Sequence, residues 1–267
     1  MTEPAAATTN ATTTTTTVPV GDHPTTVVTG RSGPPLLYLH PEADNSAWGA
    51  VHDELARSFT VVAPVHPGFG GGELPAWLDD ITDLTFHHVD LIDRLGLDRP
   101  LVVGVSLGGW LAVDLAIHRS DLLAGIVLVG ALGLRPATPA PDLFLMEPPE
   151  ALAHLAHSID GDAVDPLSGD VDRLTRLWVE QATQARLMWE RPYDRRLERR
   201  AHHVRCPVAV VWGEDDRLLP VDHGRRLAAL FEVEVEVVAA AGHLVSLDDP
   251  AAVARAAVGL QRRSVAA

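Results

Sequence analysis

The chain has 267 residues, of which 36 are acidic and 21 basic, so its formal charge at pH 7 is −15. This balance argues against a nucleic-acid binder, because affinity for phosphates requires a basic surface that displaces counterions. The hydrophobic fraction is 46%, yet no stretch approaches the roughly 18 consecutive apolar residues of a membrane helix, and a single cysteine excludes an internal disulfide framework.

The first 20 residues are dominated by alanine, threonine and proline, with one charge at Glu3. They lack the basic start, the apolar stretch and the cleavage site of a secretory signal. Low-complexity composition of this kind is typical of disorder. We therefore expect a disordered tail over residues 1–20 and a cytoplasmic protein that does not bind membranes.

Short apolar runs then alternate with longer amphipathic stretches, a pattern typical of an α/β fold with a mostly parallel sheet and helices on both faces. Buried strands are predicted over 36–39, 59–63, 101–105, 124–129 and 208–212. Alternating valine and glutamate over 233–238 predict a further strand with one solvated face. Helices are predicted over 79–95, which Gly96 ends, over 109–118, and from Pro250, with Asp249 as the cap.

Between Gly130 and Pro207 this rhythm is interrupted. A proline-rich stretch is followed by helical patterns from about residue 150 and again from about residue 171. About 75 residues are too many for an ordinary connection between a strand and a helix. We expect a helical cap at residues 135–203, inserted into a core formed by residues 21–134 and 204–267.

The segment from Gly104 to Gly108 has the pattern G-x-S-x-G, directly after a predicted strand and directly before a predicted helix. A sharp strand-to-helix turn needs glycine on both sides of the serine, because side chains there would collide, and its strained backbone exposes the hydroxyl. The alternative is an ordinary glycine-rich turn with a capping serine. The flanking elements favour Ser106 as a nucleophile.

A serine hydroxyl is a poor nucleophile at pH 7 and needs a base that an acid orients. Of the 13 histidines, His243 has the expected surroundings, because it lies on a loop between the strand at 233–238 and the last helix. The loop after the strand at 208–212 supplies the acid. Loops after parallel strands gather at the carboxyl end of the sheet, where Ser106 also lies.

These segments resemble the α/β-hydrolase family, specifically its cap-bearing esterases, lipases and meta-cleavage product hydrolases, over roughly residues 20–262. The family's acid lies in a G-x-x-D-x-x-x-P pattern, which residues 213–220 match with Asp216, rather than Asp215, at the acid position. Its histidine follows a glycine before the last helix, as His243 does here. The order serine, acid, histidine is also the family's.

The resemblance implies a catalytic triad of Ser106, Asp216 and His243. His243 would take the serine proton during attack on a carbonyl carbon, and Asp216 would orient the imidazole and stabilise its cation. Charge that develops on the carbonyl oxygen needs hydrogen-bond donors placed in advance. One oxyanion donor is expected to be the backbone N–H of Leu107, at the positive end of the following helix. No cofactor and no metal ion are implied.

The second oxyanion donor departs from the family pattern. After the strand at 36–39 the family usually has His-Gly and further small residues, whereas this chain has His40, Pro41 and Glu42. Proline has no N–H, so we expect the backbone N–H of Glu42 to be the donor. A carboxylate beside a forming oxyanion would be unfavourable unless it pointed away or were protonated.

Four side chains are candidates for substrate binding: His40, Phe69, Trp178 and Trp189. Phe69 belongs to a loop that resembles the family's site entrance, although packing within a glycine-rich turn is an equal alternative. The two tryptophans belong to an apolar set in the cap. Most such residues form the core of a cap, but some members of the set are expected to face Ser106. These contacts would favour an apolar substrate.

The first functional hypothesis is a serine hydrolase that acts on a small to medium, fairly apolar carboxylic ester. Residues 212–226 also resemble meta-cleavage product hydrolases, which cleave a carbon-carbon bond. That group usually has asparagine before its nucleophile and an aromatic residue after the Gly-His element, whereas this chain has Val105 and Leu244. We therefore rank carbon-carbon cleavage second.

Two further alternatives remain open. Perhydrolase or haloperoxidase activity would use the same triad, and a small-ligand receptor on the same fold represents a different functional class, since fold alone does not determine function. The partner in each case is a small molecule. The strand near residues 232–238 could also pair with a second subunit in a homodimer, unless its glutamates prevent that pairing.

Overall fold

The computed structural model describes residues 13–31, 33–42, 48–146, 148–157, 171–188 and 191–266. Its strands are β1 (Thr13–Val20), β2 (His23–Gly30), β3 (Pro35–Leu39), β4 (Thr60–Pro64), β5 (Leu101–Val105), β6 (Gly125–Val129), β7 (Val208–Gly213) and β8 (Val235–Val238). Its α-helices are α1 (Ala50–Ala56), α2 (Ile81–Leu95), α3 (Leu107–Arg119), α4 (Pro148–Leu155), α5 (Val171–Met188), α6 (Leu197–Arg200), α7 (Val221–Ala229), α8 (Val245–Asp248) and α9 (Pro250–Ala266).

The strands form one sheet in the order β1-β2-β4-β3-β5-β6-β7-β8. All neighbours from β4 to β8 in that order run parallel, and the pairs formed by β2 are antiparallel. The central strands β5 and β6 are buried at every residue, as expected of strands covered on both faces. Helix α3 packs with α2, and α9 packs with α1. The predicted α/β fold is therefore confirmed.

The prediction of a disordered tail is wrong for Thr13–Val20, because these residues form β1. They pair antiparallel with β2, from Thr13 opposite Gly30 to Val20 opposite His23. Threonine is β-branched and favours extended backbone, so this low-complexity segment can add a strand to the sheet edge although its threonines are exposed. Residues 1–12 lie outside the described residues.

The last strand is shorter than the alternating pattern predicts. Helix α7 ends in a cap in which the Val233 N–H donates to the Ala228 carbonyl at 3.2 Å, and Glu232 adopts a left-handed φ of 57°. Val233 therefore belongs to the helix cap, and β8 begins only at Val235. β8 is an edge strand of the sheet, and its pairing with a second subunit, which the glutamates could also prevent, stays a prediction.

The insertion between β6 and β7 carries helices near the positions that its pattern predicts. Two contacts join α5 to the loop after β4: Thr183 Oγ1 donates to the Gly68 carbonyl at 2.9 Å, and the Gly70 N–H donates to Glu180 Oε1 at 3.0 Å. At the end of α4, the Leu155 carbonyl accepts from the Leu244 N–H at 2.7 Å. Both helices therefore contact loops at the carboxyl end of the sheet.

The last helix begins as the sequence predicts. Asp249 Oδ1 accepts a hydrogen bond from the Ala252 N–H at 3.0 Å, which caps the helix that starts at Pro250. None of the helices in the described ranges combines the length and the apolar character needed to cross a bilayer.

Candidate active site

Ser106 lies on a tight turn that joins β5 directly to α3. Its φ of 51° and ψ of −111° are strained for a residue with a side chain. A Cβ at Gly104 would overlap the Gly108 carbonyl, and a Cβ at Gly108 would overlap the Leu39 carbonyl. Both glycines of the G-x-S-x-G pattern are therefore required by close backbone approach, and the turn holds the serine side chain at the carboxyl end of the sheet.

Three side chains from different loops form one hydrogen-bonded line. Ser106 Oγ lies 2.8 Å from His243 Nε2, and His243 Nδ1 lies 2.8 Å from Asp216 Oδ2. The carboxylate fixes Nδ1 as the protonated ring nitrogen, which leaves Nε2 facing the hydroxyl. The structure thus brings together the three residues that the sequence singles out as nucleophile, base and acid.

The acid is held by its own turn. Oδ1 of Asp216 accepts hydrogen bonds from the N–H groups of Leu218 at 2.9 Å and Leu219 at 2.8 Å, while Oδ2 faces His243. Oδ2 of the neighbouring Asp215 instead lies 3.4 Å from Nδ1 of His157, and both of these side chains are nearly half exposed. The geometry therefore distinguishes Asp216 from Asp215.

The protonation of His243 reflects opposing effects. Burial disfavours the charged imidazole, but the charges of Asp216 and Glu42 and the hydrogen bond to Asp216 outweigh it, so the pKa of His243 is raised above its usual value. Two carboxylates therefore stabilise the imidazolium form of His243.

Glu42 is the unexpected component of the site. Its side chain does not point away: Oε1 accepts from Ser106 Oγ at 3.0 Å, and Oε2 accepts from the Leu107 N–H at 3.2 Å. Only 5% of the residue is exposed. The carboxylate of Glu42 thus binds the Leu107 N–H, which is the donor expected to bind the carbonyl oxygen of a substrate. The role of the Glu42 N–H as the second donor stays a prediction.

A serine hydroxyl has one proton, so it cannot donate to Glu42 and His243 together. When it donates to Glu42, the short contact between Ser106 Oγ and His243 Nε2 requires a proton on Nε2. The raised pKa of His243 fits this arrangement. The site therefore has two proton arrangements, one in which His243 is a free base and one in which it is the imidazolium.

Buried histidines hold the loop that carries Glu42. His40 Nδ1 donates to the Pro41 carbonyl at 2.7 Å, and its Nε2 accepts from the His66 N–H at 3.0 Å. His66 Nε2 donates to the His40 carbonyl at 3.1 Å, which leaves its Nδ1 to accept from His88 Nε2 at 2.9 Å. Burial lowers the pKa of His40 to about 4 and that of His66 well below its usual value.

This histidine network changes the interpretation of one predicted substrate contact. Both ring nitrogens of His40 already have protein partners, so the residue supports the loop around Glu42 instead of presenting a free polar group. The sequence shows histidines after β3 and β4 and on α2, but nothing in their spacing indicates that they meet. The sheet order, which places β3 beside β4, brings His40 to His66, and the packing of α2 brings His88 to His66.

The other predicted substrate contacts differ in outcome. Phe69 is fully buried and its ring packs edge-on against His40 and His66, as the packing alternative expects. Trp178 is 76% exposed on α5. Trp189 lies outside the described residues. Contact of these residues with a substrate stays a prediction.

The described residues contain no group of three histidine, cysteine or acidic side chains arranged to hold a metal ion. What the assembled groups offer is a hydroxyl beside a base, a base beside an acid, and a backbone N–H at the start of a 13-residue helix. Such an arrangement can activate the serine oxygen for attack on an electrophilic carbon.

Comparison with known proteins adds a family relationship. The model of the alpha/beta hydrolase family matches residues 33–256, which include β3 to β8 and all three members of the hydrogen-bonded line. The match covers most of the chain.

Two curated relatives and one solved structure are similar to this chain at 19% to 29% sequence identity. An uncharacterized protein of Mycobacterium tuberculosis is 29% identical over 248 residues, covering 82% of this chain and 73% of the relative. A 2-hydroxy-6-oxononadienedioate/2-hydroxy-6-oxononatrienedioate hydrolase of Paraburkholderia phymatum is 26% identical over 80% of this chain and 82% of the relative. Among solved structures, a bacterial membrane phospholipase A superposes with a TM-score of 0.79 at 19% identity, over 97% of this chain and 88% of that one, and shares the fold.

Proposed function

This chain belongs to the alpha/beta hydrolase family, and we propose that it is a serine hydrolase that cleaves small to medium, fairly apolar carboxylic esters through an acyl-enzyme. The observation that carries the proposal is the unbroken line of short hydrogen bonds from Asp216 through His243 to Ser106. Its members are nearly or fully buried, which favours strong electrostatic interaction between them.

In the proposed reaction, His243 Nε2 takes the proton of Ser106 as Oγ attacks the ester carbonyl carbon. The tetrahedral intermediate collapses when the imidazolium gives that proton to the departing alcohol, which leaves the acyl group on Oγ. Water, deprotonated by His243, then releases the carboxylic acid and restores the serine. The Leu107 N–H would stabilise the oxyanion, a contribution of about 3 kcal/mol for a donor of this kind.

An apolar ester is supported by what surrounds the nucleophile. The loop after β6 brings Leu132 beside the turn, with the Leu132 N–H donating to the Ser106 carbonyl at 3.1 Å. Leu244, which follows the proposed base, is also buried. Such surroundings favour an apolar ligand with few polar groups.

Hydrolysis of a carbon-carbon bond is the second candidate. The observation that favours it is the similarity to the Paraburkholderia phymatum hydrolase, which extends over most of both chains. The substrates in that relative's name are dicarboxylates, whereas the site of this chain already holds the carboxylate of Glu42 against Ser106. We therefore place ester hydrolysis first.

A chromogenic short-chain ester assay on the wild type and Ser106→Ala tests the proposal. Turnover that disappears in the variant supports a serine hydrolase. Equally slow turnover in both proteins, with ligand still bound, would instead support a small-ligand receptor on this fold.

A further inference from the structure

A buried carboxylate beside Ser106 has no role in the proposed reaction. Glu42 is 5% exposed, and its two carboxylate oxygens accept from Ser106 Oγ and the Leu107 N–H. The chain has no lysine, and the ion pairs found among the described side chains do not include Glu42. The charge of Glu42 acts instead on His243, whose Nε2 lies 2.8 Å from the Ser106 Oγ that Glu42 also contacts.

The backbone of Glu42 is held in place from two sides. Gln184 Nε2, on α5, donates to the Glu42 carbonyl at 3.1 Å. On the other side, His40 and His66 exchange two hydrogen bonds that fix the start of the loop. The carboxylate can turn about its own side-chain bonds, but the residue remains beside the nucleophile.

A substrate must compete with this carboxylate. An acyl oxygen that accepts from the Leu107 N–H must displace Glu42 Oε2 from this hydrogen bond. Because the backbone of Glu42 is held in place, the displaced carboxylate remains close to the acyl group. Like charges at such separations repel strongly where water is excluded. A neutral acyl group incurs no such repulsion.

We propose that Glu42 is a specificity-determining residue, which excludes acyl groups with a negative charge close to the scissile carbonyl and admits neutral ones. The inference rests on the proposed serine hydrolase function and narrows its substrate class. It assigns Glu42 a role in choosing the substrate, separate from the bond-making and bond-breaking steps at Ser106.

The test compares two esters with the same four-carbon acyl length, ethyl butyrate and monoethyl succinate, by the release of ethanol. We expect wild-type kcat/KM to favour the butyrate by about tenfold or more, because the free carboxylate of the succinate would add a second negative charge to the site that holds Glu42. Glu42→Gln should reduce this ratio by about fivefold or more, chiefly through faster cleavage of the succinate, and Glu42→Asp, which keeps the charge, should retain discrimination.

Glu54→Gln is the matched control, because it makes the same chemical change at a carboxylate on α1 whose partner is Arg57 and not Ser106. It should leave the ratio unchanged. Wild-type preference for the succinate, or a ratio within about twofold in wild type and Glu42→Gln, would overturn the inference. Glu42→Ala replaces Glu42→Gln if the latter does not fold, as judged by circular dichroism.

The two proposals fail differently. Ser106-dependent cleavage of both esters with a ratio that ignores Glu42 would overturn the selectivity role and leave the serine hydrolase intact. Absence of Ser106-dependent turnover of either ester, together with absence of Ser106 labelling by a fluorophosphonate, would overturn both.

Discussion

The hydroxyl oxygen of Ser106 lies 3.0 Å from Oε1 of Glu42 and 2.8 Å from Nε2 of His243, so it is within hydrogen-bond distance of both side chains. The serine proton therefore has two competing acceptors. Donation to His243 prepares the oxygen for attack, whereas donation to Glu42 accompanies a protonated imidazole. The balance between these arrangements determines how the site responds to pH and to changes at either partner.

Ser106 and His243 should act as one unit. Ser106→Ala and His243→Ala are each expected to lower kcat by several orders of magnitude, and the double variant should lose little more than either single variant, because each removes the same activated nucleophile. Steady-state ester hydrolysis measures all three. Losses that add in log rate would show that the two residues act independently.

Replacement of the two neighbouring acids should have very different effects. Asp216→Asn is expected to lower kcat by about three to four orders of magnitude, since the amide can favour the wrong imidazole tautomer. Asp215→Asn, whose side chain lies at the surface beside His157, should change kcat less than about threefold. The reverse ranking would move the proposed acid to residue 215.

Activity should fall as the pH decreases through the pKa of His243. The base works only when neutral, and its pKa lies above the usual value of about 6.5, so the acid limb of kcat/KM is expected above that pH. Glu42→Gln removes one of the charges that raise this pKa and should shift the limb to lower pH. Glu54→Gln serves as the control, and an equal shift there would contradict the local electrostatic explanation.

The folded protein should lose stability in mild acid because it buries neutral histidines. Burial lowers the pKa of His40, His52 and His87 to about 4. Since the unfolded chain keeps values of about 6.5, it binds more protons as the pH falls below that value, and unfolding is favoured progressively until about pH 4. At pH 5 each such group costs about 2 kcal/mol relative to pH 7.5.

Urea unfolding at pH 7.5 and pH 5 measures this effect, with His52→Gln reducing the pH dependence and the exposed His203→Gln leaving it unchanged. The difference between the two pH values is the relevant quantity, because His52→Gln can also change stability at both. Equal stability of the wild type at pH 7.5 and pH 5 would contradict the burial of neutral histidines.

The turn that carries Ser106 should not accommodate a side chain at Gly104, the first glycine of the G-x-S-x-G pattern. Gly104→Ala places a methyl group against the Gly108 carbonyl and is expected to lower both stability and ester turnover. The matched change Gly259→Ala, on an exposed part of α9 with open space around it, should stabilise the protein by about 0.5–1 kcal/mol. Thermal unfolding of the two variants compares them directly, and equal effects would argue against backbone crowding at the turn.

The sequence predicts those parts of the fold that depend on local pattern. Apolar runs bounded by turns locate β5 and β6, and the pattern G-x-S-x-G joins one of them to α3. The order of motifs along the chain also identifies Asp216 and His243, because parallel strands bring their following loops to one edge. The sequence does not predict β1, because its threonines resemble a low-complexity tail. Their pairing is evident only from the register with β2.

The local sequence pattern does not predict the direction in which a side chain points. The residues Pro41 and Glu42 show an unusual loop, but nothing in the sequence determines that the carboxylate turns toward the Leu107 N–H. The contact between His66 and His88 likewise depends on how α2 packs against the loop after β4. Both arise from long-range packing, which neither spacing nor composition encodes.

The central claim is that His243 activates Ser106, and the rate of covalent labelling by a fluorophosphonate tests it most directly. Mass spectrometry should find the adduct on Ser106 of the wild type, and the labelling rate should fall by about a hundredfold or more in His243→Ala, because the hydroxyl then lacks its base. No adduct on Ser106, or equal labelling rates in the two proteins, would contradict the account.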